Sequence, residues 1–141
     1  MELPVTAALS SAEGFARGGV EILDRLGAVD TLCFGSETGD TDALVRAAEA
    51  MRSPEFTQAL RTALDEGQSY PAARQLALER VSGDGALLTA PNDILAAEYC
   101  KALRERGSRM RPLAVRRDGG YHDETPDAEN PSATAVRAQP E

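Results

Sequence analysis

An α/β fold, with parallel strands joined by a helical crossover, is the architecture predicted for this chain of 141 residues. Three observations carry the prediction: a short apolar run at residues 29–34, a second strand candidate at 110–115, and four intervening stretches with helical apolar spacing. Parallel strands cannot be joined by a tight turn and need such a crossover. The length suits one compact domain with a tail.

Each element has its own local reason. Glu2-Leu3-Pro4-Val5 puts an apolar segment directly after Met1, as the interior of a larger fold would. Ser10 and Ser11 offer caps for a helix whose Phe15, Ile22 and Leu26, with Ala16, Val20 and Leu23 beside them, recur at spacings of three, four and seven before Gly27 stops it. The run at 29–34 is too short and too continuous for a surface helix and reads as a buried strand. From Asp40 a helix places Leu44, Val45, Ala48 and Met51 on one face, its acidic start suiting the positive end of the helix dipole. Ser53 and Pro54 supply the cap and first residue of the next, in which Phe56, Leu60 and Leu64 repeat until Gly67. Ser69, Tyr70 and Pro71 open a third, running through Leu76 and Val81. These three form an inserted helical layer. Pro91-Asn92-Asp93 starts another helix with Leu95, Tyr99 and Leu103 as its buried stripe, and Arg104 and Arg106 near its negative end before Gly107. The run at 110–115 reads as an edge strand, because Pro112 cannot donate to a central ladder. Residues 118–130 read as a loop, and 132–137 as a capped helix start.

Composition narrows the function classes. Hydrophobic residues make up 42% and aromatics only 4%, with no tryptophan, so Leu, Val, Ile and Ala must build a closely spaced, helix-rich core. A net charge of -8 argues against nucleic-acid binding by this chain alone, since phosphate contacts need clustered Lys and Arg. The charge is uneven: Lys101, Arg104, Arg106, Arg109, Arg111, Arg116 and Arg117 form a basic stretch, with acidic residues after it. Cys33 and Cys100 have neither metal-ligand spacing nor the density of a disulfide scaffold, and both are expected to be reduced core residues. No signal-peptide pattern and no apolar run near the roughly 18 residues of a membrane span is present, so the expected setting is cytoplasmic, without a membrane partner.

Four stretches could carry chemistry. Gly35 follows the first apolar run, where open α/β sheets bind ligands and a missing Cβ lets a nucleotide approach the backbone; by itself it also reads as a turn glycine, with Ser36 and Glu37 as loop residues. Asp40 and Asp42 could hold magnesium or cap a helix. Asn92 could read a base or ribose with its amide, or cap the helix it begins. Arg116 and Arg117 could clamp phosphate, while His122, the single histidine, reads as a hydrogen-bonding loop residue. Ser132, Thr134 and Arg137 would make a phosphate cradle at a helix start, or an ordinary cap. No Ser-His-Asp or Cys-His arrangement, Walker loop or zinc pattern occurs, so no side chain is assigned a catalytic or metal-ligating role.

The order of these stretches is more specific than any one of them. "ELPVTAALSSAEGFARGGVEILDRLGAVDTLCFGSETGD", "YPAAR", "PNDILAAEYCKAL", "RPLAVRRDGGYHD" and "SATAVR" resemble, in sequence and spacing over nearly the whole chain, the bacterial tRNA(Met) cytidine acetate ligases. The resemblance implies a partial Rossmann-like nucleotidyltransferase domain of the HIGH-motif class with a mostly helical insertion. Residues 1–117 would be the central part of that α/β domain, and 118–141 a loop, helix start and acidic tail. Such enzymes use ATP, with Mg2+, to activate acetate as acetyl-adenylate, and then acetylate the wobble cytidine of elongator tRNA(Met). Carried over to this sequence, Gly35, Asn92 and Arg117 would contact ATP, with Arg116 in place of Arg117 should the alignment shift, and Ser132, Thr134 and Arg137 would lie near the phosphates. The family's G-x-x-x-H-x-G-H loop has no counterpart, and Asp93 stands where a second asparagine is usual. The expectation is therefore a segment of such a ligase, inactive alone, with tRNA(Met) held by the complete enzyme rather than by this acidic part. The alternatives are another adenylyltransferase of the same fold and a truncated, non-catalytic remnant, the latter placing Leu3 and Val5 at an open sheet edge.

Overall fold

The computed structural model describes residues 5–8 and 10–117. In chain order these form α1 (Val5–Ala8), α2 (Ala12–Leu26), β1 (Thr31–Ser36), α3 (Thr41–Met51), α4 (Pro54–Asp65), α5 (Tyr70–Ser82), a short 3-10 turn (Gly85–Leu88), α6 (Pro91–Arg106) and β2 (Arg111–Arg116). β1 and β2 pair in parallel, from Thr31 opposite Arg111 to Ser36 opposite Arg116. The strand, helical layer and returning strand of the predicted crossover are all present.

The caps work as their residue types suggest. Ser11, Asp40 and Ser53 accept the N–H groups of Gly14, Ala43 and Phe56 at 3.4, 3.0 and 3.2 Å, satisfying helix donors that have no partner within the helix. α6 lies at the centre. Ala96, Ala97 and Cys100 pack with Leu44, Ala47 and Ala48 of α3, Leu78 of α5 and Phe34 of β1. Farther along α6, Ala102 and Leu103 join Val20 of α2 and Met110 in a second cluster. Alanine at these contacts lets helices approach closely, and each fully buried leucine, such as Leu44 or Leu78, contributes about 1.5–3 kcal/mol. Phe34 stacks on Tyr99 at 5.6 Å between centroids, tying strand to helix.

Several expectations are corrected. β1 begins later than residue 29 and includes Gly35 and Ser36, so Gly35 is a strand residue and not a turn. The strand is half-buried rather than buried, because among the described residues helices cover one face of the sheet only. Phe34 and Ser36 point inward, whereas Thr31, Cys33 and Gly35 share an open face with Arg111, Leu113 and Val115. Cys33 is accordingly exposed, while burial pushes the Cys100 thiol up to about 12, outweighing nearby Arg104. The α6 stripe of Leu95, Tyr99 and Leu103 is too narrow: the helix is enclosed on several sides, and Asp93 and Glu98 are buried with the alanines. Val5 lies in the turn α1 and not at a sheet edge.

Candidate functional site

The chain leaves both strands at the same end of the sheet. Arg117 N–H donates to Ser36 C=O at 2.9 Å, extending the ladder one step past β2. A Cβ on Gly35 would stand 3.0 Å from Cδ and 3.2 Å from Cγ of Arg117, so the arginine side chain lies directly across the glycine backbone. What glycine provides here is this close approach and not a special φ, since its backbone is ordinary strand. The turn glycine is Gly39, at φ 65°, where a Cβ would meet Cβ of Arg116 at 2.7 Å. The stems of Arg116 and Arg117 are thus seated against two different glycines.

Behind this strand end, the loop after β1 and the start of α6 grip each other through two carboxylates. Glu37 Oε1 accepts the backbone N–H of Asn92 at 3.2 Å and its side-chain Nδ2 at 2.8 Å, and Oε2 accepts the N–H of Asp93 at 2.8 Å. In return Asp93 Oδ1 accepts from the Ser36 hydroxyl, from the N–H of Glu37 at 3.1 Å, and from Thr38 N–H and hydroxyl, both at 3.4 Å. Ser36 and Asp93 are fully enclosed. Burial pushes the Glu37 carboxyl up, but the Asn92 amide and the N–H groups of Asn92, Asp93 and Glu37 itself outweigh it and hold the group below the usual carboxylate range.

This arrangement corrects two expectations. Asn92 does not cap α6. Ala90 occupies the cap position without a side-chain bond, and Glu37 of the distant loop supplies the missing acceptor. Nor does the helix start offer itself to an outside anion. Pro91 has no N–H, those of Asn92 and Asp93 are taken by Glu37, and that of Ile94 bonds Ala90 C=O at 2.9 Å. Glu37 is therefore more than a loop residue. The sequence offers only an indirect signal for it, one that the reading as a loop residue did not use: a helix whose cap position holds alanine must find its acceptor elsewhere.

Gly35, Asn92 and Arg117 thus gather at one strand end, the first and third by contact and the second through Glu37. Asp40 caps α3 and Asp42 lies in its first turn. Among the described residues no group of three His, Cys, Asp or Glu side chains is placed to hold a metal ion. Arg104 and Arg106 of the basic stretch are paired, each at 2.8 Å, with Glu49 and Asp24. Ser132, Thr134, Arg137 and His122 lie outside the described residues. No helix among the described residues is long and apolar enough to cross a membrane.

Comparison with known proteins gives the site a setting. The HIGH Nucleotidyl Transferase family matches the chain over residues 1–141. A tRNA(Met) cytidine acetate ligase of Syntrophotalea carbinolica is 46% identical over 144 residues, covering 97% of this chain and 34% of the relative. Its counterpart in Clostridium novyi is 38% identical over 145 residues, covering 98% of this chain and 36% of the relative. The crystal structure of Thermotoga maritima TmcAL bound with alpha-thio ATP superposes with a TM-score of 0.81 at 36% identity, covering 96% of this chain and 33% of that one. An apo form of the same protein gives 0.85, again at 36% identity, covering 96% of this chain and 34% of that one. The chain therefore spans about a third of the length of the curated relatives it matches.

Proposed function

Since the chain belongs to the HIGH nucleotidyl transferase family, we propose that its strand-end cluster is part of the ATP site of a tRNA(Met) cytidine acetate ligase. The observation that carries this reading is the side chain of Arg117 lying across Gly35 at the carboxyl ends of a parallel strand pair, with Asn92 tied to the same loop. A relative of similar fold is bound with alpha-thio ATP.

In the complete ligase an acetate oxygen attacks the α-phosphorus of ATP and pyrophosphate leaves. The exocyclic amine of the wobble cytidine then attacks the acyl carbon of acetyl-adenylate and AMP leaves. Neither step needs a protein nucleophile. Both need the nucleotide held and its charge balanced, which a permanently cationic guanidinium does without a proton transfer. Gly35 lets the Arg117 stem lie close against the strand end, Arg117 faces the phosphates, and Ser132, Thr134 and Arg137 would add further phosphate contacts. Among the described residues Asp40 is engaged as a cap and Glu37 and Asp93 with each other's backbone, so a magnesium ion would be carried by the triphosphate and not by these carboxylates. The tRNA is held by other parts of the complete enzyme, consistent with the charge of -8 here.

Titration calorimetry of the 141-residue chain with ATP tests the reading. Measurable binding is expected, weakened about tenfold or more by Arg117→Ala through loss of charge-assisted hydrogen bonds. Acetate-dependent ATP–pyrophosphate exchange by this chain alone is expected to be absent. Failure to bind ATP at millimolar concentration would overturn the assignment.

A further inference from the structure

We propose that Glu37 is a positioning residue that acts through Asn92, turning its amide toward the uncharged nucleoside end of the nucleotide while Arg117 takes the phosphates. This rests on the reading of the strand end as an ATP site.

An ionised Glu37 only accepts hydrogen bonds, so the group of Asn92 that meets it at 2.8 Å must be the amide nitrogen and not the oxygen. One amide hydrogen is thereby spent. The second hydrogen and Oδ1, which has no partner among the described residues, are left as an adjacent donor and acceptor in a fixed orientation. A phosphate presents acceptors only and has no use for Oδ1, whereas ribose hydroxyls and base edges present donors and acceptors side by side.

Charge leads to the same division. The backbone donors that would make the α6 start an anion site are all engaged, two of them by Glu37 itself. A phosphate brought there would meet a carboxylate instead of free N–H groups, and like charges at that range repel. Arg117 is where a phosphate finds positive charge, and its stem is steered by Gly35. The cap function of Glu37 would be complete with the two backbone N–H groups alone. Its additional bond to the Asn92 side chain is the feature that capping does not require.

The experiment is a double-mutant cycle on the full chain, with calorimetric titration of ATP and, separately, inorganic tripolyphosphate. Glu37→Ala and Asn92→Ala are each expected to weaken ATP binding roughly fivefold, the double variant no further than Asn92→Ala alone, and tripolyphosphate binding is expected to hold in both while Arg117→Ala weakens it. Glu37→Gln guards against loss of fold. Its amide can keep one oxygen on the Asp93 N–H only by turning its NH2 to Asn92, which must then rotate and present nitrogen where Oδ1 stood, so ATP affinity falls in a variant that is still folded at the temperature of the titration. Wild-type affinity in Glu37→Gln, additive effects in the cycle, or equal loss of ATP and tripolyphosphate binding in Glu37→Ala would overturn the positioning role. If the unmodified chain binds no ATP, the ATP-site reading fails and this inference with it; ATP binding with an additive cycle sinks the inference alone.

Discussion

Asp93 and Glu98 stand five residues apart on α6, each only 1% exposed, and the fold neutralises them in opposite ways. Asp93 is surrounded by dipoles: the hydroxyls of Ser36 and Thr38 and two backbone N–H groups of the same loop. Glu98 is met by cations, Arg74 of α5 on one oxygen and Lys101 at 3.1 Å on the other, the latter an ion-pair contact without a directed hydrogen bond. Lys101 also reaches Glu13 of α2 at 3.3 Å, and Arg74 donates to Met51 Sδ of α3 at 3.4 Å. Glu98 therefore ties four helices together through long, adjustable side chains. Asp93 fixes one loop through its backbone, and that loop, which follows Gly35 at the end of β1, carries Glu37 to the candidate site. Dipoles built into a backbone position a site more closely than charges on flexible stems, which serve better as glue.

Removing each carboxylate breaks the comparison most directly. Glu98→Ala leaves Arg74 an uncompensated, largely buried cation and Lys101 with the half-exposed Glu13 as its one carboxylate, and a loss of about 3 kcal/mol in urea denaturation is expected. ATP affinity measured where the variant is still folded should be unchanged. Asp93→Ala should cost somewhat less, about 2 kcal/mol, since it strands hydroxyls and N–H groups rather than charges, yet it should reduce ATP affinity by releasing the loop. A stability loss under about 1 kcal/mol for Glu98→Ala would show that the cations rehydrate freely and that the contrast is illusory.

The two glycines of the strand end sharpen the contrast at smaller cost. Alanine at Gly39 must adopt a left-handed backbone and press on Arg116 Cβ at 2.7 Å and on its backbone at 3.2 and 3.3 Å, none of which can swing away. About 1–2 kcal/mol of destabilisation is expected by thermal or urea unfolding. Alanine at Gly35 meets only the stem of Arg117, which can move, so stability should fall by less than about 1 kcal/mol while ATP affinity drops with the displaced guanidinium. If Gly35→Ala binds ATP like the unmodified chain, the seating of Arg117 on the glycine has no part in nucleotide binding.

How far the sequence made this legible follows the range of the interactions. The crossover, the caps Ser11, Asp40 and Ser53, and the ends of the helices are local and readable from residue type and spacing. The half-exposure of β1 was not, because a run such as 29–34 looks equally apolar whether helices cover one face or two, and coverage is decided by the rest of the fold. Likewise the stripe of α6 depended on how many neighbours enclose it. The Glu37–Asp93 clasp joins residues more than fifty positions apart in the chain, and polar residues at that separation carry no periodic signal. What remained readable was family likeness, which brought Gly35, Asn92 and Arg117 forward by order alone, without the contact that sets one against another.

The finest test of the clasp is its response to acid. The bonds from Asn92 and Asp93 outweigh burial and keep the folded-state pKa of Glu37 below its ordinary value near 4.5. The unfolded chain then takes up this proton before the folded one does. The stabilisation is fully present above pH about 4.5 and drains away as the pH falls through the folded-state value. Other carboxylates titrate in the same range, so the informative quantity is a difference: the melting temperature of the unmodified chain minus that of Glu37→Gln, followed from pH 6 to pH about 3. It should be level down to pH about 5 and then shrink, because the amide that replaces the carboxylate has no proton to gain. Two parallel curves over that whole range would mean that the charge of Glu37 contributes nothing to the grip on α6, and that the bonds to Asn92 and Asp93 act as neutral ones would.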